Sequence, residues 1–232
     1  MKRVRYFAPL LLVALALAAL AGCSSGSTTS GDGVLTVDKA GDTSINLPAL
    51  KSSINLEAVL PLEEVEQEGI TYMREEEKLA RDVYAKLYED WGVKTFNNIG
   101  SSEQTHMDAV KTLVDRYSLA DPAAGKAMGE FADQNLQQLY DTLVEQGGKS
   151  QIDALKVGAA IEEIDILDLK DYLSQTSKRD IIVVYENLLK GSRNHLRAFV
   201  SALEKRKVDY QPQYLTPEQY NEIISAPIER GR

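Results

Sequence analysis

The chain has only two histidines, and each falls on the apolar seam of a predicted helix, where a polar side chain is costly unless something binds it. Reading seams at alternating steps of three and four gives Met73, Glu77, Ala80, Tyr84, Leu87, Trp91 in one helix and Ile99, Glu103, His106, Val110, Leu113, Tyr117 in a second. A third runs Leu155, Ala159, Glu162, Ile166, Leu169, Leu173, and a fourth Ile181, Tyr185, Leu188, Ser192, His195, Phe199, Ala202. Each stripe is apolar except at one internal level. Four helices that all turn polar at the same level must face one another across a shared core. That is the pattern of a carboxylate-bridged metal site in a four-helix bundle.

The ends tell where such a domain works. Lys2, Arg3 and Arg5 precede an apolar run from Tyr6 to Ala21, which closes in Leu20-Ala21-Gly22-Cys23. A charged start, a short apolar stretch and small residues at the cut describe a secretory signal rather than a membrane span. Cys23 is the only cysteine, and Leu-Ala-Gly-Cys looks like a bacterial lipobox. Residues 1–22 then form a lipoprotein signal peptide, and Cys23 carries lipid. The alternative is an ordinary signal peptide with a stray cysteine. A single cysteine rules out an intrachain disulfide and any Cys-x-x-Cys metal or redox motif, so the core must supply stability. Acids outnumber bases 35 to 26, a surface that repels phosphate backbones and argues against a nucleic-acid partner.

Residues 24–33 are Ser, Gly and Thr with one Asp, and read as a flexible tether. Within 34–60 the run Val34-Leu35-Thr36-Val37 suits a short strand; the rest is expected to be extended chain on the domain surface. Residues 61–207 carry the helical periodicity. One helix runs from about Leu62 to Trp91 and is closed by Gly92. A second runs from about Ile99 to Tyr117, with Asn97 and Asn98 as caps and a stop before Asp121-Pro122. A shorter helix spans about Ala132 to Gln146 before Gly147-Gly148. Another starts after Ser150 and continues to about Leu173, and the last runs from about Lys178 to Lys205. Residues 208–232 form a tail in which Thr216-Pro217-Glu218-Gln219 starts a short helix with a capping box.

Carboxylates and imidazoles together suit divalent transition metals, because carboxylate oxygens bridge ions and imidazole supplies nitrogen. Glu103 and His106, three apart, address one centre from one helix face. A Glu-x-x-His pair also occurs on solvated faces, and core polar groups can bond to one another without a metal. Tyr84 and Tyr185 are either redox-active, donors to bound carboxylates, or buried tyrosines with a satisfied hydroxyl. The run Glu75-Glu76-Glu77 reads as a solvated face with one inward member, with Glu76 competing with Glu77 for the centre. Arg193 and Arg197 read as surface arginines unless acids pair with them.

The segments Tyr72-Met-Arg-Glu-Glu-Glu-Lys-Leu-Ala-Arg-Asp-Val-Tyr84, Ser102-Glu-Gln-Thr-His-Met-Asp-Ala-Val110, Ile161-Glu-Glu-Ile-Asp-Ile166 and Gly191-Ser-Arg-Asn-His-Leu-Arg-Ala-Phe199 resemble a ferritin-like family, domain-of-unknown-function family 2202. They cover about residues 61–205. The resemblance extends distantly to the rubrerythrins, whose bundles hold two irons. It implies an all-α fold, a ferritin-like four-helix bundle with an extra short helix and an extended N-terminal segment. It also implies metal ligation by Glu77, Glu103, His106, Glu162, Asp165 and His195. The fourth helix departs from the pattern: three residues before His195 stands Ser192, a poor ligand, so one carboxylate is missing; either Asp165 or Glu163 replaces it, or one ion binds in a lopsided site.

The expected protein is therefore extracytoplasmic and lipid-anchored through Cys23 to the bacterial cell membrane or outer membrane. It would hold one or two ions of iron or manganese and, if an enzyme, act as a metal-dependent oxidoreductase on peroxide or oxygen with an external electron donor, as a possible homodimer. The alternatives are non-catalytic metal binding or sensing, and a metal-free helical scaffold.

Overall fold

Helix order follows from local signals that the chain carries at each boundary. The structure, a computed structural model, describes residues 33–38 and 42–230; the expected signal peptide, Cys23 and most of the expected tether lie outside the described residues. Two short strands, β1 (Leu35–Val37) and β2 (Thr43–Ile45), precede seven helices among the described residues: α1 (Leu47–Ile54), α2 (Glu64–Trp91), α3 (Lys94–Arg116), α4 (Gln134–Gly147), α5 (Gln151–Ser174), α6 (Arg179–Glu204) and α7 (Pro217–Ser225). The Glu66 carboxylate accepts from the Glu63 N–H at 2.8 Å and ties down the start of α2. Gly92, at φ 64°, ends it in the left-handed conformation that glycine adopts without strain. Ser150 accepts from the Asp153 N–H at 3.0 Å to open α5. Thr216 and Gln219 form the expected reciprocal capping box at α7, with Pro217 in the first turn.

The chain is mostly helical, with one small sheet, and three local expectations are corrected. β1 and β2 pair antiparallel, Leu35 opposite Ile45 and Val37 opposite Thr43, so the fold is not purely α. Residues 47–54, expected as extended chain, form α1, because Asn46 accepts from the Ala49 N–H at 3.2 Å and Leu50 and Ile54, one turn apart, bury together. The second long helix starts at Lys94, not Ile99. Asn97 and Asn98 lie inside it, and Asn98 Nδ2 donates to Asp42 at 2.8 Å instead of capping.

Side-chain pairings fix the directions of the long helices. Glu77 meets His106 and Arg81 meets Gln104, so α2 and α3 are antiparallel. Glu162 meets His195 and Asp165 meets Ser192, so α5 and α6 are antiparallel. Glu103 meets His195 and Arg116 meets Asp180, which makes α3 and α6 antiparallel. Tyr72 bonds Asp168 and Tyr84 bonds Glu162, which does the same for α2 and α5. A closed ring of contacts, α2–α3–α6–α5, results. Because α3 and α5 then run in the same direction, residues 117–150 must carry the chain back along the molecule. They do so through α4, which packs on α2 and α5.

One end of this ring is filled by Tyr84, Phe96 and Phe199, whose ring centroids lie 5.2–6.1 Å apart. The tail is part of the core, not an appendage. Tyr210, Leu215 and Ile223 are buried, and Glu163 accepts from the Tyr210 hydroxyl at 2.6 Å and from the N–H groups of Gln213, Tyr214 and Leu215.

Candidate metal centre

The run Glu75-Glu76-Glu77 shows how completely α2 is enclosed. All three are buried, which corrects the expectation of a solvated face. Glu75 accepts from the N–H groups of Ala132 and Asp133 at 2.5 and 2.9 Å, at the entrance to α4. Glu76 faces α5, and Glu77 faces α3. A helix walled by α3, α4 and α5 has no solvated side at this level.

Glu77, Glu103, His106, Glu162, Asp165 and His195 lie in one buried layer, both imidazoles with no exposure at all. Glu103 is its hub. Its Oε2 lies 2.9 Å from His106 Nδ1, and its Oε1 lies 2.8 Å from His195 Nδ1. Glu77 Oε2 approaches His106 Nδ1 at 3.3 Å, and Glu162 Oε2 approaches His195 Nδ1 at 3.5 Å. Two clusters therefore share one carboxylate: Glu77, Glu103 and His106 on one side, Glu103, Glu162 and His195 on the other. Ligand atoms of Glu103, His106 and His195 all lie within 4.8 Å of one another.

These short distances are not hydrogen bonds. Both Nδ1 atoms, Glu103 Oε1 and Glu77 Oε1 are buried without a hydrogen-bond partner, because the carboxylate oxygens lie off the directions in which an Nδ1–H would point. The opposite ring edges are bonded. Thr43 Oγ1 stands 2.8 Å from His195 Nε2 and 3.3 Å from His106 Nε2. A hydroxyl oxygen accepts two hydrogen bonds, so Thr43 can take an Nε2–H from each ring and leave both Nδ1 lone pairs facing the carboxylates. The rings lie nearly parallel, 5.3 Å between centroids and 21° between planes.

The electrostatics have the same origin. Burial raises the Glu103 carboxyl, but the charges of His195 and His106 outweigh it and hold it below the ordinary range. Burial pushes Glu77 up to about 8 against the pull of His106, and pushes Glu162 up to about 7 with help from Glu103. Burial lowers both histidines, yet Glu103 and Glu162 bring His195 up to about 9, and Glu103 and Glu77 carry His106 well above its usual value. Asp165 rises through burial and then through Glu77 and Glu162. Acids outnumber imidazoles here, so the protein alone must hold protons that a cation would displace.

Two contributors are absent from the sequence reading. Thr43 reaches the layer from β2, which α3 anchors: the Thr43 N–H donates to Ser102 Oγ at 3.1 Å and the Ile45 N–H to Thr105 Oγ1 at 3.0 Å. Gly191 lets the His106 ring approach α6; a Cβ there would stand 2.5 Å from His106 Cε1. Neither has a periodic signal, since one lies outside the helical region and the other is defined by what it lacks. Ser192 hydrogen-bonds Asp165 Oδ2, and Asp165 Oδ1 has no partner. Tyr84 donates to Glu162 Oε1 at 2.5 Å. The Tyr185 hydroxyl is buried and unbonded, away from this layer. Glu163 is engaged with the tail and does not replace the missing carboxylate. Arg193 and Arg197 both pair with Glu229.

A family profile described as an uncharacterized protein domain, DUF2202, matches residues 66–227. The chain is 54% identical over 171 residues to the uncharacterized protein MJ0754 of Methanocaldococcus jannaschii, an alignment that covers 74% of this chain and 92% of that protein. It is also similar to the crystal structure of the hypothetical protein MJ0754, with a TM-score of 0.72, 52% identity, and coverage of 74% of this chain and 98% of that one.

Proposed function

The chain belongs to the DUF2202 family, and we propose that it is a metal-binding protein of ferritin-like four-helix architecture whose centre is the layer around Glu103. One observation carries the reading: Glu103 offers one oxygen to each of two buried Nδ1 atoms that make no hydrogen bond, while Thr43 engages both Nε2 atoms. A side chain that fixes the far edge of a ligand ring sets its tautomer and orientation. The ring of α2, α3, α6 and α5 with one long return between α3 and α5 supports the ferritin-like reading, because that connectivity distinguishes ferritin-like bundles from simple up-and-down ones.

Glu77, Glu103 and His106 would hold one ion, and Glu103, Glu162 and His195 a second, with Asp165 at the edge of the set. Mixed oxygen and imidazole donors suit iron or manganese. When bound, such ions would supply one-electron redox chemistry toward peroxide or oxygen. The chain's own residues do the rest: Thr43 orients the imidazoles, the buried walls exclude water, and Tyr84 holds Glu162 by its hydroxyl proton. No second redox group accompanies the layer among the described residues, so the redox reading includes an external electron donor. Ser192, which occupies the place of a carboxylate, favours binding or sensing over turnover. The Leu20-Ala21-Gly22-Cys23 motif supports a lipid-anchored, extracytoplasmic protein.

Elemental analysis of the full chain, purified without chelators or a histidine tag, tests the reading. One or two irons or manganese per chain, lost in His106→Ala with helicity intact, is the expected result. No metal after anaerobic loading would refute it.

A further inference from the structure

The walls of the histidine layer differ in thickness. α4 packs on α2 and α5, residues 213–215 of the tail bond to Glu163 of α5, and Glu229 pairs with Arg193 and Arg197 of α6. At the level of the histidines the seam between α3 and α6 is covered by a strand, β2. The seam is open there because its two sides carry almost no side chain. Gly191 of α6 has none, and Ser102 of α3 has a single hydroxymethyl. Thr43 stands between them. Its N–H donates to Ser102 Oγ at 3.1 Å, and a Cβ at Gly191 would come 3.4 Å from its Oγ1. The bonds from the β2 backbone to α3, donated by Thr43 and Ile45, end on side-chain hydroxyls, so no ladder of backbone bonds ties the strand to the bundle.

Outside this window lies a cleft of about 710 Å³, a size that suits a small solute with its water. Thr36, Ser44, Ser101, Ser102 and Thr105 line it with hydroxyls, and Asp42 adds a carboxylate. Thr43 lines it too, and its hydroxyl is the lining group that bonds the imidazoles. One threonine side chain thus divides the cleft from the buried centre.

We propose that this cleft is the entrance to the histidine centre for hydrated divalent cations, with Thr43 as its plug. Hydroxyl and carboxylate oxygens can replace the water shell of such an ion one ligand at a time, which an apolar mouth could not do. Withdrawal of Thr43 clears the window and releases the Nε2 edges of both rings in the same movement. Opening therefore also frees the imidazoles to turn, and closing fixes them again.

The entrance rests on the metal-binding reading, and rates separate the two. Narrowing an entrance raises one barrier that ions cross in both directions, so uptake and loss slow by the same factor and the equilibrium stays put. Ser101→Trp from α3 and Thr36→Trp from β1 each put a large side chain into the cleft at an exposed position away from the ligands. Thr142→Trp, exposed on α4 and outside the cleft, is the control. Cobalt(II) uptake by the metal-free full chain, cobalt loss to excess chelator and equilibrium titration are all read by visible absorption, and circular dichroism checks the helices. The expected result is uptake and loss both slower by about tenfold or more in the two cleft variants, with dissociation constants within about twofold of wild type and the control unchanged. Wild-type rates in both cleft variants, with cobalt bound, would overturn the entrance and leave the metal centre standing. Equal slowing in Thr142→Trp, or weaker affinity without slower uptake, would overturn it as well. A wild-type chain that binds no cobalt would refute the metal centre, and the entrance with it.

Discussion

Thr43→Val isolates the role of a single hydroxyl. Valine keeps the β-branched shape that suits β2 and removes the oxygen that stands 2.8 and 3.3 Å from the two Nε2 atoms. Two buried ring N–H groups would then lack an acceptor, at about 1–3 kcal/mol each. Without metal the rings have an escape: each, protonated on both nitrogens at pH 7, can give up its Nε2 proton and keep the one on Nδ1, beside the Glu103 charge. The metal-free protein should thus lose little stability, no more than about 2 kcal/mol. The metal-bound state has no such escape, because it needs Nδ1 unprotonated. The penalty should fall on affinity, a weakening of about 10–100-fold, or about 1.4–2.7 kcal/mol. Cobalt(II) titration by visible absorption measures the first quantity and urea unfolding of the metal-free protein the second. A dissociation constant within twofold of wild type would refute the idea that Thr43 sets the tautomer. A large loss of stability without metal, with affinity unchanged, would refute the proton-shift argument.

Two further outcomes follow from the same layer. Gly191→Ala gains about 0.5–1 kcal/mol of helix propensity, but its Cβ would stand 2.5 Å from His106 Cε1, and that ring is fully buried with its Nε2 edge on Thr43. Overpacking at about 1–3 kcal/mol should win, lowering the melting temperature by about 2–4 °C per net kcal/mol; an unchanged or higher melting temperature would contradict the close packing. At pH 7 metal-free protein should hold protons on Glu77, raised to about 8, and on His195, raised to about 9. These protons, and the one His106 holds, must leave when a cation binds, so affinity should rise with pH up to at least about 9. Calorimetry at pH 7 in buffers of different ionisation enthalpy should detect proton release; heats independent of buffer would contradict these proton positions.

The helices were legible because burial imposes a period. Glu103 and His106 stand three apart on a stripe of Ile99, Val110 and Leu113, and such a stripe has one place to go. The same logic failed at Glu75-Glu76-Glu77, where three adjacent charges suggest solvent. α2 is surrounded, and a helix packed on several sides can bury neighbours in sequence that point in different directions. It failed again at Asn97 and Asn98, which look like caps. With Lys94 already starting α3, these residues lie inside the helix, and Asn98 turns to Asp42. The α1 helix was missed because eight residues are too few for a period to show.

Period and residue type determined which side chains share the buried layer, since an apolar stripe can face only inward and its polar interruptions must go with it. They also placed the helix ends at Gly92, Ser150 and Thr216, where backbone geometry or capping chemistry acts over a few residues. What only the tertiary structure decided is how those groups meet. Glu103 divides its two oxygens between imidazoles from different helices, Thr43 arrives from a hairpin 63 residues from one ring and 152 from the other in sequence to bond both, and Gly191 makes room by having no side chain. The physical reason is range. Periodicity and capping are local properties of the chain, whereas the partner of a buried polar atom is set by which distant segment is brought within about 3 Å, and nothing near that atom in sequence records the choice.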